Sequence, residues 1–330
     1  MAAGLVVTNG RLVTPEDVLD ADVAVEDGEI AAIGDERTFP DAERTVNTSG
    51  LLVMPGVVDP HVHIDGYLST DSYETGPARP RWVGSPPVLI SPGRRGSAIS
   101  ASGRGKGTLL EAVERQKGKG DDSLIDFGLH SVITREDPAV FEELDDVIAE
   151  GVTPIKMFTA HEIGLSNGFM NRVFGHLADR DLLAVLHTED ESVCEHLTEA
   201  SKAEGKGHPR HYPAARLDYA EAMAAENAVR MAQEAGAKYY GIHTTSRKAA
   251  DVLECYQGDG SEVRGETCTH YTVLGESAHE QQGSLPIIAP PLRTPDDRDA
   301  MFEQLHDGAL SVVSTDHVAF ERADKEVENW

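Results

Sequence analysis

The sequence predicts an α/β fold: an incomplete (β/α)8 barrel of the TIM type in residues 55–330, preceded by a small β-sandwich subdomain in residues 1–54. From Pro55 onwards, short apolar segments alternate with amphipathic helical segments, a pattern typical of parallel strands joined by helical crossovers. Before Pro55, apolar and polar residues alternate around Gly, Asp and Asn, which is typical of short antiparallel strands. The length of 330 residues suits one barrel of about 250 residues with an attachment.

The first 54 residues contain segments with the period-two pattern of strands, namely LVVTNGRLV, ADVAVEDGEIAAIG and RTVNTSGLLVMPG. Within the second segment, Asp27-Gly28 predicts a tight hairpin, because these two residue types tolerate the positive φ angles that such a turn requires. The stretch is too short and too rich in strands to belong to a barrel. We therefore predict a separate strand-rich subdomain here.

Seven apolar segments after Pro55 are predicted as barrel strands. They are Val57–His63, Ser123–Ile133, Thr153–Phe158, Leu182–Thr188, Lys238–Thr244, Val263–Tyr271 and Ser311–Asp316. The amphipathic helices predicted between them include Pro138–Glu150, Leu217–Ala235 and Asp296–Asp307. Since a closed barrel of this type has eight strands, one strand is missing from the prediction. The gap falls between His63 and Ser123.

The segment 77–110 occupies this gap and has an unusual composition. It contains five arginines and one lysine but no acidic residue, and it is dense in proline and glycine, so no strand or helix is predicted in it. One interpretation is a long basic loop. Another is a local change of reading frame that replaces the usual second strand and helix, which re-reading the gene in the other frames would test. Its GRGKGT lacks the GxxxxGK[ST] spacing of a phosphate-binding loop.

The composition limits the partners of the protein. Its 57 acidic and 29 basic side chains give a net charge of -28, which argues against binding to nucleic acids or to anionic membrane surfaces. A high-salt cytoplasm is one hypothesis for so acidic a surface. The three cysteines show no CxxC spacing, and no apolar run approaches the roughly 18 residues of a membrane span. We therefore expect a cytoplasmic protein without a disulfide framework.

His61 and His63 form a candidate metal chelate at the end of the first predicted barrel strand. Residues two apart on a strand point to the same face, so both imidazoles can reach one ion. Such a pair is weak evidence alone, because histidines at this spacing are often polar surface residues. The context PGVVDPHVH places the pair just beyond a short buried strand, at the end where barrel active sites lie.

Residues of the same kind end further predicted strands. Lys156, His187 and His243 each follow an apolar run and precede a loop, and Asp316 ends the last predicted strand. One such lysine or histidine is usually a surface group. Because the carboxyl ends of barrel strands meet at one rim, the recurrence predicts a shared metal site.

The motifs that carry these residues resemble those of a known family. They are VEDGEIAAIG, MPGVVDPHVHID, GVTPIKMFTA, LAVLHTED, YYGIHTTS, GETCTHY, APPLR and STDH. In these motifs the chain is similar to the cyclic amidohydrolases, specifically the dihydropyrimidinase and hydantoinase branch. The resemblance implies metal-dependent hydrolysis of a small cyclic amide, by opening of a dihydropyrimidine or hydantoin ring. Allantoin and dihydroorotate are alternative rings for the same chemistry, and relatives often form tetramers, which implies a homo-oligomer.

The resemblance also implies a ligand set for two divalent cations, with zinc expected. A carboxylated Lys156 would bridge them, since a bare ammonium cannot ligate a cation. His61, His63 and Asp316 would hold one cation, and His187 with His243 the other. Imidazole and oxygen ligands without thiolate suit zinc, and manganese or cobalt could replace it. In the implied mechanism a hydroxide bridging the metals attacks the ring carbonyl, and Asp316 acts as general base and then as general acid.

The chain departs from the family pattern at two substrate-binding positions and at its end. His161 stands where relatives usually have a tyrosine that hydrogen-bonds the substrate, and Ala289 stands where they often have a serine whose backbone contacts the ring. Both are predicted to bind substrate, although an ordinary loop histidine is an equal alternative for His161. The chain stops at Trp330, whereas relatives continue, so a missing C-terminal portion is expected. A catalytically defective fragment and a non-catalytic dihydropyrimidinase-like protein therefore remain alternatives to an active enzyme.

Overall fold

The computed structural model describes residues 4–39, 41–66, 69–75, 97–102, 107–123 and 125–330. Most of the predicted basic segment 77–110 lies outside the described residues. The chain forms two compact units. The first lies mainly within Met1–Val58, and the second includes Gly128–Trp330.

The N-terminal unit consists of short strands, as its alternating pattern predicts. They are β1 (Leu5–Thr8), β2 (Arg11–Val13), β3 (Val18–Asp20), β4 (Asp22–Glu26), β5 (Glu29–Gly34), β6 (Thr45–Asn47) and β7 (Leu52–Val53). They form one sheet of order β5-β4-β1-β6 and another of order β3-β2-β7. The predicted hairpin is confirmed: β4 and β5 pair antiparallel around Asp27 and Gly28, whose φ angles are 51° and 82°.

Both small sheets contribute to one apolar cluster. Val7, Val23 and Val25 come from the first sheet and Leu12 from the second, and all four are buried. The other side of the first sheet packs Val6 and Ala24 against partly buried Phe39 and Ala42. Shared burial of apolar side chains therefore holds the two sheets together, while a sandwich arrangement stays a prediction.

The second unit is built on a nine-stranded sheet. Its strands are β8 (Val62–His63), β9 (Ser97–Ser102), β10 (Phe127–Val132), β11 (Pro154–Phe158), β12 (Leu183–His187), β13 (Lys238–Gly241), β14 (Val263–Cys268), β15 (Val312–Ser314) and β16 (His317–Val318). Their order is β15-β14-β13-β12-β11-β10-β9-β8-β16, and β10 to β15 pair parallel. Each of the seven predicted strands contains one of these strands.

The prediction that segment 77–110 contains no strand is wrong at Ser97–Ser102. This strand, β9, lies between β8 and β10 and pairs parallel with β8. Its sequence SAISAS has one large apolar residue, Ile99, so it carries little of the signal by which a buried strand is recognised. The parallel strand expected between His63 and Ser123 is therefore present, although the sequence pattern did not reveal it.

The large sheet curls so that its two edges approach each other. β15 and β16 lie at opposite ends of the strand order, yet only Thr315 and Asp316 separate them in the chain. Because successive Cα atoms are 3.8 Å apart, three steps bring the edges within about 11 Å. The mixed α/β fold with a curled parallel sheet is thereby confirmed.

Helices connect the strands and cover the sheet. They are α1 (Leu109–Lys119), α2 (Val140–Ala149), α3 (Asn167–Ala178), α4 (Glu191–Ala203), α5 (Asp218–Ala235), α6 (Arg247–Gly258), α7 (Thr269–Val273), α8 (Ala278–Gln282), α9 (Pro295–Asp307) and α10 (Arg322–Lys325). Capping side chains fix where several begin: Asp190 accepts a backbone hydrogen bond at the start of α4, and Ser246 does so at α6. Among the described residues, no helix combines the length and apolarity needed to cross a membrane.

Candidate metal centre

The structure brings the six predicted ligands together at the ends of strands. His63 ends β8 and His187 ends β12, while Lys156 lies within β11. His243 follows β13, and Asp316 lies at the break between β15 and β16. His61 precedes β8 directly and is buried. Parallel strands thus deliver residues that are far apart in the chain to one place.

One side of this cluster surrounds Asp316. Its Oδ1 lies 3.1 Å from the Nε2 of His61 and 3.1 Å from the Nε2 of His63. The Nε2 of His61 also lies 3.1 Å from the Nζ of Lys156. A carboxylate oxygen, two imidazole nitrogens and an amine therefore converge on a small volume.

The other side of the cluster is a pair of imidazoles. The Nδ1 of His187 lies 2.9 Å from the Nε2 of His243. The two sides adjoin, because the ring centroids of His61 and His243 are 5.3 Å apart. His61, His243 and Asp316 each place one ligand atom within 4.8 Å of the others.

Burial sets the protonation of the cluster. It lowers the pKa of His61 and of His243 well below the usual value, so both imidazoles are neutral at physiological pH. It also lowers the pKa of the Lys156 amine to about 8. Burial opposes ionisation of Asp316, but the electrostatic interaction with the adjacent His61 imidazole and a hydrogen bond from His63 outweigh it and hold the pKa of Asp316 well below its ordinary value.

The donor set fits a divalent cation. The Nδ1 of His187 and the Nε2 of His243 are 2.9 Å apart and can share only one proton, so a cation bound by both nitrogens could take the place of that proton. Neutral imidazole nitrogens and a carboxylate are the ligands that zinc takes in catalytic sites. Because burial lowers the pKa of His61 and of His243, these two imidazoles keep lone pairs that a cation could bind.

Two carboxylates that the sequence analysis missed contact ring nitrogens of the ligand imidazoles. The Oε1 of Glu266 lies 2.8 Å from the Nδ1 of His61, and the Oε2 of Glu189 lies 3.1 Å from the Nε2 of His187. Arg216 binds both oxygens of Glu189, at 2.9 and 2.7 Å. Acidic residues within or just after apolar strands, in VRGETC and LHTED, are the sequence signal that points to them. A carboxylate behind a histidine is typical of metal sites, because it orients the ring.

The backbone is strained at several of these positions. His243 has a φ angle of 38° and Asp316 one of 48°, and His161 beside the cluster has 67°. Positive φ costs a residue other than glycine roughly 1–3 kcal/mol and persists where surrounding structure imposes it. Such strain is concentrated at functional sites, which agrees with a chemical role for this cluster.

The two predicted substrate-binding residues are placed differently. His161 is half-buried, with its ring centroid 5.0 Å from that of His187, and its backbone N–H donates to Glu191 at 2.9 Å. The structure therefore places His161 at the edge of the imidazole pair. Ala289 is half-buried in the segment between α8 and α9. Its contact with substrate stays a prediction.

Comparison with known proteins finds relatives along nearly the whole chain. A D-hydantoinase from Streptomyces coelicolor is 30% identical, over 97% of this chain and 70% of the relative. An allantoinase from Deinococcus radiodurans is 32% identical, over 96% of this chain and 70% of the relative. The crystal structure of a dihydropyrimidinase from Brevibacillus agri matches with a TM-score of 0.88 and 27% identity, covering 96% of this chain and 69% of that chain. No protein-family model matches the chain.

Proposed function

We propose a catalytic mechanism from the premise that the chain belongs to the cyclic amidohydrolases, in their hydantoinase branch, and is a hydrolase acting on a small cyclic amide. The resemblance predicted from the motifs is confirmed by these relatives. The observation that carries the mechanism is the convergence of six donors, of which His61 and His63 lie at one strand and the other four come from separate strands. A non-catalytic relative that had lost its ligands would not be expected to retain all six.

The cluster would hold two divalent cations, and zinc suits its donors best. His61, His63 and Asp316 would hold one cation, and His187 with His243 the other. When bound, such a pair lowers the pKa of a water molecule and polarises a carbonyl oxygen. Two sets of contacts support this assignment. His61 and His63 each lie 3.1 Å from Asp316, and His187 lies 2.9 Å from His243.

Lys156 would bridge the two cations as a carbamate. Lys156 is 1% exposed, and its amine lies 3.1 Å from His61 and has a pKa lowered by burial to about 8. A neutral amine is the form that adds CO2, so a lowered pKa favours the reaction at physiological pH. The carbamate carries a negative charge and two oxygen atoms with lone pairs, whereas the protonated amine carries a positive charge. Its oxygens could therefore bind the same cations as the surrounding imidazoles.

Asp316 would transfer the proton. Its carboxylate is ionised and touches both His61 and His63, so it is held at the cluster in the form that accepts a proton. It would take the proton of the attacking water and pass it to the ring nitrogen as the amide bond breaks. One group thereby serves as base and then as acid.

The substrate would be hydantoin or a dihydropyrimidine, recognised by His161 and the backbone at Ala289. The position of His161 beside His187 supports a hydrogen bond from its imidazole to the ring carbonyl. Allantoin is a second candidate, because a relative named allantoinase is 32% identical. A homo-oligomer is a further proposal that rests on the resemblance, and a cytoplasmic location is one that rests on the composition of the sequence.

The curled sheet would be a closed barrel of eight strands. Counting β15 and β16 as one strand, interrupted at Asp316, gives the number that this fold requires. The interruption explains why Asp316 departs from strand geometry. Closure would carry its carboxylate over the rim, toward the residues that end β8.

An assay of the purified chain tests the function. Supplied with zinc and bicarbonate, the chain is expected to open hydantoin, dihydrouracil or allantoin, with the ring-opened acid measured by chromatography. A chelator should abolish turnover and zinc should restore it. Asp316→Asn is expected to lower kcat/KM at least about 100-fold, since it removes the proton acceptor. Asp307→Asn, on an exposed carboxylate at the end of α9, is the matched control and should leave turnover unchanged.

Two failures have different meanings. A chain that melts cooperatively, but neither binds zinc nor opens any of the three rings, would support the hypothesis of a non-catalytic dihydropyrimidinase-like protein. A chain without a cooperative melting transition would support the defective fragment. Each would contradict the proposed activity of this chain.

A further inference from the structure

We propose that Glu266 is a positioning residue that ties both metal positions to one buried carboxylate; this rests on the metal centre proposed above. Glu266 lies on β14, between β13 and β15 in the sheet, and is 0% exposed. It is not among the six ligands. Its two oxygens face the strands that carry ligands of both cations.

One oxygen of Glu266 contacts both ligand sets. Its Oε1 lies 2.8 Å from the Nδ1 of His61, which belongs to the first set, and accepts a hydrogen bond of 3.2 Å from the backbone N–H of His243, which belongs to the second. His243 has a φ angle of 38°, so its backbone conformation needs support from its surroundings. A single atom thus restrains an imidazole of one set and the main chain of the other.

The contact with His61 selects the tautomer of that ring. A carboxylate facing Nδ1 favours a proton on that nitrogen, which leaves the lone pair on Nε2. The Nε2 of His61 is the atom 3.1 Å from both Lys156 and Asp316. Glu266 therefore turns the lone pair of His61 toward the place where a cation would lie.

Glu266 is itself held in place. Its Oε2 accepts a hydrogen bond of 2.8 Å from the hydroxyl of Tyr240, and the side chain of Ser314 also hydrogen-bonds to it. The backbone just before it is closely packed, because a Cβ on Gly265 would overlap Leu253 and crowd Leu310. A carboxylate fixed at both oxygens can fix its partners in turn.

Glu189 offers a contrast that makes the proposal testable. It also contacts a ligand imidazole, at 3.1 Å from the Nε2 of His187, and its further side-chain partners are Arg216 and, at 3.9 Å, His161, neither of which is among the six ligands. It thereby supports one ligand of the second set. Loss of the Glu189 carboxylate should lower the zinc affinity of one metal position, whereas loss of the Glu266 carboxylate should lower the zinc affinity of both.

The experiment measures zinc binding to the full chain by competition with a chromophoric chelator. Wild type is expected to bind two zinc ions tightly, and Glu266→Gln to bind both about 10–100-fold more weakly. Glu189→Gln should retain one tight ion. Glu221→Gln is the matched control, because Glu221 is equally buried but pairs with Thr245 and Arg293, and it should retain two. Melting curves without metal separate loss of fold from loss of affinity.

Tyr240→Phe provides a second variant if Glu266→Gln does not fold. It removes one restraint on the carboxylate and is expected to weaken both positions several-fold. Wild-type affinity in the folded Glu266 variant, or loss of one ion as in Glu189→Gln, would overturn the proposal while leaving the metal centre intact. A wild-type chain that binds no zinc would instead overturn the metal centre, and the inference with it.

Discussion

His61 illustrates what governs the behaviour of a single residue in this site. Its spacing from His63 predicted a role as a ligand, and the structure places it against Lys156 and Asp316. The ring nitrogen that faces them is determined by Glu266, which lies 205 residues further along the chain. Histidine supplies a nitrogen lone pair by its residue type. The direction of that lone pair is set by Glu266, a partner that no local sequence pattern reveals.

Carboxylation of Lys156 should depend on pH. Because burial lowers its pKa to about 8, the amine is protonated and unreactive below that pH and becomes neutral above it. The carbamate formed from 13C-labelled bicarbonate, measured by 13C NMR of metal-free protein, is therefore expected to increase as the pH rises through about 8. Lys156→Gln should lack the resonance. A carbamate signal that persists in this variant would assign the modification elsewhere.

At the scale of elements, the β14 strand shows how packing positions the site. Its register places Gly265 opposite Gly241 of β13 and Glu266 opposite Val312 of β15. Small residues at 241 and 265 allow Leu253 of α6 to approach both strands. The glycine that admits Leu253 directly precedes Glu266 in β14.

Gly265→Ala is expected to destabilise the protein by about 1–3 kcal/mol, because the added Cβ would overlap Leu253 and crowd Leu310. The free energy of unfolding from chemical denaturation measures the effect. Gly175→Ala in α3 is the control: its Cβ would meet no atom within 4 Å, so this helical position should be stabilised by about 0.4–1 kcal/mol. Equal stability of the Gly265 variant and wild type would show that α6 can move away without cost.

At the scale of the whole molecule, charge is the dominant property. A net charge of -28 produces repulsion between surface groups that opposes the compact state. Many of the ion pairs are exposed, such as Lys117 with Glu150, and such pairs contribute little stability. The unpaired excess of acidic groups therefore makes stability sensitive to the surrounding salt.

The melting temperature should rise with potassium chloride concentration, because added ions screen the repulsion among acidic groups. Melting followed by circular dichroism measures the change. Sorbitol at equal osmolality, which does not screen charge, is expected to have a smaller effect. A melting temperature that did not rise with salt would count against adaptation to a high-salt cytoplasm.

The sequence by itself was enough to predict most of the barrel strands and the residues that are proposed as metal ligands. Apolar runs that end in His, Lys or Asp are local patterns, and they single out His187, His243 and Asp316 as candidate ligands. The strand Ser97–Ser102 was missed, since small residues leave little pattern. The resemblance of the motifs then supplied the chemistry.

The tertiary structure decided how those residues meet. The sheet curls so that its edge strands β15 and β16 approach each other. In the curled sheet His61 lies within 3.1 Å of Lys156, which is 95 residues away in the chain. Glu266 acquires its role in the same way, since it lies 205 residues from His61, and the left-handed backbone at His243 and Asp316 is imposed by their surroundings. These features depend on distances between remote residues, which periodicity along the chain does not encode.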